Sequence, residues 1–522
     1  MATLPSPMAT LPIFMYTSIL VIFLYYFLRH MVIHWHRKPL PPGPKPWPIV
    51  GNLVHIGDKP HQAMTSMAGV YGPLMHLKMG FVHVIVAASA SVAEQLLKVH
   101  GANFSNRPRS SGAKHIAYDY HDLVFAPYGP RWRTLRKICA VHLFTGRALD
   151  DYRHVRQEEV AIFAQSLASA HGKSLVNLGQ LLNVCSTNTM ARMTIGWRLV
   201  GYGTHGGVDA KAEEFKSMVV ELMTLAGLFN IGDFIPPLEV FDLQGLAKKM
   251  KRVHKRFDAL LNKILEEHKL MHNASRNVDL LSTLIGLNSV EHGNELGKLT
   301  DTDIKALLLN LLSAGTDTSS STIEWALVEL IRHPSILARA QQELDSVVGK
   351  DRLVTEADLS QLTFLQAIVK ETFRLHPATP LSLPRMANEN CEINGYFIPK
   401  GSTLLVNIWA IGRDPNIWAD PLEFRPERFL PDGERPNVDV QGNHFEVIPF
   451  GAGRRICVGM RLGLRMVQFI TATLVHAFDF ELPDGLRREK IDMEEEFGIS
   501  LQRAVPLLVH PRPRLAPHVI KC

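Results

Sequence analysis

The sequence predicts a mainly α chain with small β-sheets (α+β), carried behind an N-terminal transmembrane helix. Three observations predict this. The chain opens on a long apolar run without charge. Helical periodicity dominates from about residue 131. Strand-like alternation is confined to one hairpin and to short segments after Pro377. With 522 residues, 46% hydrophobic and 20% charged, the chain can build a large core. Its net charge of +6 is mild and argues against a nucleic-acid binder.

No Lys, Arg, Asp or Glu precedes Arg29, and Leu11 to Leu28 reads LPIFMYTSILVIFLYYFL. As a helix this run spans about the hydrocarbon core of a bilayer. Positive charge follows it and predicts a cytoplasmic C-terminal side. A cleaved signal peptide fits less well, because no basic n-region and no small-residue cleavage site is present. Residues 1–35 therefore read as a membrane anchor. Residues 36–52 follow as a hinge, where Pro39, Pro41, Pro42 and Pro44 stop helix and strand alike. Residues 53–522 read as the folded body.

Within the body, 73–89 alternates around Gly80 and predicts a β-hairpin. AEEFKSMVVELMTLAGLF is an amphipathic helix, and LFNIGDFIPPLEVFDLQG reads as a loop at an entrance or a membrane surface. KKMKRVHKRFDALLNKILEEHKL is a basic, then acidic, helix. The longest helical run begins at a capping box, Thr300 with Asp303, and ends at Pro334. CEINGYFIPKGSTLLVNIWAIGRD reads as short strands.

Five cysteines lie far apart with no CxxC pair, which argues against a zinc or iron–sulfur cage. One of them, Cys457, sits in PFGAGRRICVG among glycines and arginines. AGTDTSS places Gly315, Asp317 and Thr318 inside an apolar helix. The glycine suggests close approach of a flat ligand. The acid and hydroxyl suggest either a proton relay at a widened turn or back-bonding of the threonine to its own helix. ETFR sets Glu371 and Arg374 on one helical face. PERF supplies Arg428, and RWRTLRK places Trp132 and Arg136 at i, i+4.

Together these motifs resemble the cytochrome P-450 superfamily, the heme-thiolate monooxygenases, over essentially the whole chain. The F-x-x-G-x-R-x-C-x-G match is Phe450, Gly453, Arg455, Cys457 and Gly459. A-G-x-D-T is Ala314, Gly315, Asp317 and Thr318. E-x-x-R is Glu371 and Arg374, completed as a structural triad by Arg428. The anchor and PPGP hinge resemble the eukaryotic microsomal type.

The resemblance implies a P-450 fold with its long helix over heme b. Cys457 becomes the axial ligand of the iron. Phe450 packs beside the sulfur, and Trp132, Arg136, Arg385 and Arg455 become partners of the heme propionates. Backbone amides around the sulfur are expected to lower its pKa. Asp317 and Thr318 deliver protons during dioxygen activation. Electrons come from NADPH through a separate NADPH–cytochrome reductase, for which Arg131, Arg133 and Lys137 offer a basic docking face. The implied location is the endoplasmic reticulum membrane, with a cytosolic catalytic domain.

VIVAASASVA, SGAKHIAY, DLVFAPYGPRWRTLRKIC and NVDVQGNHFEVIPFGAGRRICVGM are similar to the plant flavonoid 3'-hydroxylase group. That implies hydroxylation of the flavonoid B-ring to a catechol, on flavanones, dihydroflavonols, flavones or flavonols, in association with other flavonoid enzymes. Ile116, Ala117, Ala314, Gly315, Leu381, Ile499 and Ser500 become candidates to face substrate. Ser500 departs from the threonine usual in that group and resembles the 3',5'-hydroxylases, so a second hydroxylation is an alternative. Another phenylpropanoid substrate, or a silent heme scaffold, are the further alternatives.

Overall fold

The structure, a computed structural model, describes residues 20, 21, 24, 25, 38–272, 279–289 and 299–520. Apart from those first four positions, which are helical and exposed, the predicted anchor lies outside the described residues, as does Cys522.

Helix α1, Pro60–Tyr71, starts on a proline at its first turn. The predicted hairpin follows as β1, Leu74–Met79, and β2, Val82–Ala87, paired from Leu74↔Ala87 to Met79↔Val82. Helix α2 is Pro130–Cys139, α3 is Leu178–Ile195, α4 is Ala210–Gly227 and α5 is Leu246–His272. The long helix α6, Asp301–Arg332, opens on the predicted capping box. Thr300 Oγ1 accepts from Asp303 N, while Thr300 N donates to Asp303 Oδ2 at 2.8 Å.

Helix α7, Thr363–Leu375, precedes strands β3, Arg385–Met386, and β4, Thr403–Val406. These extend the hairpin into a four-stranded sheet in the order β1–β2–β4–β3, with β4 parallel to β2 and antiparallel to β3. Helix α8, Met460–Ala477, leaves directly from the cysteine loop. A last hairpin pairs β5, Glu495–Glu496, with β6, Gln502–Arg503.

Helix α6 crosses the body, packing against α3, α7 and α8. It buries Leu307, Leu308, Leu312 and Ile323 within the main core. Two short segments differ from the sequence expectation. Ile408–Ile411 turns into a helix because Asn407 caps it, accepting from Ala410 N. The expected loop after α4 coils into short helices at Ile231–Phe234 and Pro236–Phe241, started by Asn230 and the paired prolines. Among the described residues, Ala210–Phe234 is long and apolar enough to cross a bilayer. Yet it buries Phe215, Val219, Leu222 and Met223 in the core.

The β5–β6 hairpin is anchored by a buried carboxylate. Glu495 accepts from His61 Nε2 at 2.9 Å, Gln62 Nε2 at 3.0 Å and Trp409 Nε1 at 3.1 Å. Burial alone would raise its pKa, but these donors and nearby Arg413 bring it down to about 2. A depressed carboxylate stabilises the fold above its unfolded pKa, and that contribution fades as pH falls from about 4.5 to about 2. Glu495→Gln is expected to cost on the order of 3 kcal/mol at neutral pH. It should also flatten the acid limb of urea midpoint against pH in that window. An unchanged acid limb would remove Glu495 from the account.

Candidate active site

The loop from Phe450 to Gly459 is closed by Cys457 N donating to Phe450 O at 3.0 Å. Gly453 has φ +68°, and a side chain there would strike the carbonyl of Leu97. The loop is therefore pressed onto the neighbouring chain and its sulfur is fixed. Phe450 is braced edge-to-face against Phe373 of α7, with ring centroids 5.3 Å apart.

Cys457 is surrounded by protein yet retains an accessible face. Burial pushes its thiol up, against the Gly459 N–H and Arg136, which favour the thiolate. The expected lowering by a backbone amide is present at Gly459, but desolvation outweighs it. A cation bonded at the sulfur would reverse that balance, because a coordinating thiol is deprotonated outright.

Four guanidiniums gather on the same side. Arg455 donates from Nε to Ser105 O at 2.8 Å and from Nη2 to Ala126 O at 2.6 Å, while its Nη1 is buried without a partner. Arg385 donates from Nη2 to Ala452 O at 2.8 Å, and its Nη1 is likewise unpaired. Arg107 is spent on Val124, Leu383 and Pro384 carbonyls. Arg136 lies over the ring of Trp132, which is also capped by Arg455 at 4.5 Å from the centroid. The Trp132 N–H donates to Leu123 O at 3.1 Å, so its ring face is what supports the arginines.

Burial pushes Arg385 and Arg455 down to about 10, and positive neighbours add to it. Asp122 is the carboxylate nearest Arg107 and Arg455, and burial pushes it up to about 6. Buried cations short of counter-charge, with two free N–H groups, require an anion. A flat ligand carrying two carboxylates fits this donor set, and an accessible sulfur fits its iron. Sequence reasoning missed Arg107 and Asp122; SNRPRS and YHDLVF hold ordinary loop residues without motif spacing.

Helix α6 carries Asp317 and Thr318. Asp317 is 3% exposed, and its two oxygens accept from Gln502 Nε2 at 2.8 and 3.0 Å. Burial raises its pKa, while Ser500, Gln502 and the more distant Lys216 hold it down. Ser500 is close enough for that influence, although its buried Oγ completes no hydrogen bond of full geometry. Thr318 Oγ1 donates to Ala314 O at 2.8 Å. The turn is not widened: α6 is regular from Asp301 to Arg332. The hydroxyls of Ser313, Thr316, Thr318, Ser320 and Thr322 all bond back four residues, which satisfies them inside an ordinary helix.

Gly315 also has a reason within the fold. A side chain there would meet Met190 at 3.0 Å, so the glycine admits α3 at this turn.

Ile116, Ala314 and Ile499 share the main apolar cluster, and Ala117 is buried beside Ile116. Leu381 packs in a separate cluster with Leu405 and Phe497. The tip of the β5–β6 hairpin, with Ile499 and Ser500, is tied down by Ile499 N to Met223 O at 3.0 Å and by Ser321 Oγ to Leu501 O at 2.9 Å.

The triad is closed. Glu371 takes Arg374 in a two-pronged pair at 2.6 and 2.7 Å and Arg428 Nε at 3.2 Å, with all three side chains fully buried. Glu434, outside the motif, pairs the far side of Arg428 at 2.7 Å.

The model of the cytochrome P450 family matches residues 41–508, and the chain belongs to that family of heme-thiolate monooxygenases. Its relatives narrow this further. A flavonoid 3'-monooxygenase from Petunia hybrida is 66% identical over 508 residues, covering 97% of this chain and 99% of its own. A flavonoid 3',5'-hydroxylase from Crocosmia x crocosmiiflora is 58% identical over 520 residues, covering 98% of each. Among solved structures, a zebrafish cytochrome P450 with progesterone aligns with TM-score 0.72 and 27% identity, covering 87% of this chain and 99% of that one.

Proposed function

We propose that this chain hydroxylates the B-ring of flavonoids at the 3' position, turning a 4'-hydroxyphenyl ring into a catechol. The observation that carries the reading is the near end-to-end similarity to the Petunia hybrida flavonoid 3'-monooxygenase. The reaction balances as one ring C–H, dioxygen, NADPH and a proton giving C–OH, water and NADP⁺. Electrons arrive through a separate reductase.

Heme, when bound, supplies the dioxygen chemistry. Cys457 would be the residue that holds its iron, as an electron-donating thiolate. Arg385 and Arg455 offer their free N–H groups to its carboxylates, with Arg136 beside them and Trp132 bracing the guanidiniums. The residues of α6 handle protons: Asp317 brings them inward and Thr318 offers a hydroxyl toward the reacting site. Ala314, Ile116, Ala117, Ile499 and Ser500 line the ring, exclude water and set which carbon is presented. Leu381 shapes the outer wall, and Gly315 acts through helix packing.

Residues 1–35 anchor the chain in the endoplasmic reticulum membrane, 36–52 form the hinge, and 53–522 lie in the cytosol as the monooxygenase domain. The exposed Trp47, Ile49, Phe81, Val240 and Phe241, 61% or more accessible, support contact of the hinge end with lipid. For the reductase, Arg133 and Lys137 remain exposed, while Arg131 pairs with Asp303.

Ser500 favours a second reading, hydroxylation at both 3' and 5'. The test is turnover in microsomes with a plant reductase, NADPH and a flavanone bearing only a 4'-hydroxyl. A catechol alone supports the first reading, and a trihydroxyl product moves the assignment to the second. No product alongside a normal thiolate–CO spectrum would sink both. One methyl group in a pocket is worth roughly ten-fold or somewhat more in discrimination. Ser500→Thr is therefore expected to lower any trihydroxyl-to-catechol ratio by about ten-fold. An unmoved ratio would take Ser500 out of the selection.

A further inference from the structure

Asp317 is adjacent to Thr318 in sequence, but the two side chains bond to other partners. The carboxylate is spent on Gln502, with both oxygens held by one side-chain amide, and the hydroxyl is spent on the Ala314 carbonyl. In this arrangement the acid is held toward β6 and the hydroxyl toward its own helix. Gln502 occupies β6, opposite Glu496, two residues from Ser500 at the hairpin tip. That hairpin cannot drift. Glu495 pins one strand to His61 and Trp409, and Ser321 of α6 holds Leu501 O beside Gln502.

We infer that Gln502 is a positioning residue for proton delivery: it latches Asp317 in a resting orientation and sets when the acid is released. The inference rests on the reading of Asp317 as the proton-delivering acid. The charged groups around the carboxylate are few. Lys216 of α4 exerts a weaker pull, and Glu324 lies two turns further along α6. Ser500, whose buried Oγ completes no hydrogen bond of full geometry, is the other polar neighbour of the carboxylate. Without the amide, the buried carboxylate loses the donor shared by its two oxygens, protonates at higher pH and is freed from β6. The protons of turnover enter from solvent, pass through Asp317 and leave in water. Early release diverts reducing equivalents to peroxide: dioxygen, two electrons and two protons give hydrogen peroxide, with no oxygen inserted into the ring.

The test compares wild type, Gln502→Leu, Asp317→Asn and the double variant as full-length holoenzyme with reductase in microsomes. The flavanone dissociation constant, from the substrate-induced spectral shift, reports the pocket independently of turnover. Peroxide formed per NADPH reports proton timing. The pH at which the infrared band of a protonated buried carboxyl appears, assigned by its absence in Asp317→Asn, reports the latch itself.

Gln502→Leu is expected to bind flavanone within about two-fold of wild type, to raise peroxide per NADPH several-fold, and to move the carboxyl band to higher pH. In the Asp317→Asn background it should add nothing. Unchanged peroxide and an unmoved band would overturn the inference. So would loss of spectral binding in proportion to coupling, which would make Gln502 a mere prop for the hairpin; Gln502→Met, which keeps the length of the side chain without its N–H donor, separates the cases by retaining binding while still failing to latch. If Asp317→Asn itself leaves coupling intact, the proton role of Asp317 fails instead.

Discussion

Cys457→Ala is expected to abolish the thiolate-type ferrous–CO spectrum and all hydroxylation while leaving the fold in place. The side chain carries none of the loop's architecture. The closing hydrogen bond to Phe450 O is made by the residue 457 backbone, Gly453 is seated on Leu97, and Phe450 is braced by Phe373. Alanine keeps each of these. What it removes is the accessible thiol just before the N-terminus of α8. Cys457→Ser should behave almost as badly, since a hydroxyl does not ionise near neutral pH and is a poor ligand for this chemistry. Difference spectra of reduced, CO-treated microsomes check the ligand, and circular dichroism checks the fold. A persisting thiolate signature would point to Cys139, the other thiol beside Arg136, although burial pushes that one up to about 12.

What was legible in the sequence was local. Thr300 and Asp303 meet across one turn, so the capping box was visible, and the hairpin about Gly80 reads from alternation alone. The cysteine loop, Glu371–Arg374 and Asp317–Thr318 each compress their chemistry into a few consecutive positions. What was hidden depends on distant chain. Gln502 reaches Asp317 across 185 positions, and Glu495 reaches His61 across 434. Neither pair has a spacing to recognise. Arg107 and Asp122 join the guanidinium cluster only because the loops bearing them fold over the cysteine loop. Gly315 was singled out, but its neighbour Met190 was not visible: a missing side chain in a helix marks a close approach without saying what makes it. At the thiol, sequence displays the amide donor but not the desolvation that opposes it.

Arg374→Ala is expected to have the opposite signature to Cys457→Ala, with the fold lost rather than the chemistry. Arg374 has no exposed side-chain surface, and it joins four partners. Beyond Glu371 it donates to Gly412 O at 2.6 Å, Pro421 O at 2.7 Å and Glu423 O at 2.9 Å. It thereby ties α7 to the long irregular segment that leads toward the cysteine loop, a stretch with few backbone ladders of its own. Removal strands Glu371 with only Arg428 and the Arg425 N–H, and it takes the guanidinium donor from three carbonyls, of which that of Gly412 is buried and those of Pro421 and Glu423 partly so. Breaking a buried pair by deleting one partner costs about 3–5 kcal/mol, and each stranded carbonyl adds roughly 1 kcal/mol or more. Domains are stable by only about 5–15 kcal/mol, so little folded, heme-retaining protein should accumulate. Arg374→Lys should not rescue it, because a single ammonium cannot grip both carboxylate oxygens and three carbonyls in different directions. The measurement is soluble yield and urea midpoint of the expressed domain, with heme content read on the same samples. A wild-type midpoint in Arg374→Ala would mean that the segment from Gly412 to Arg428 holds its shape without the triad, and that Glu371, Arg374 and Arg428 are stable together rather than stabilising.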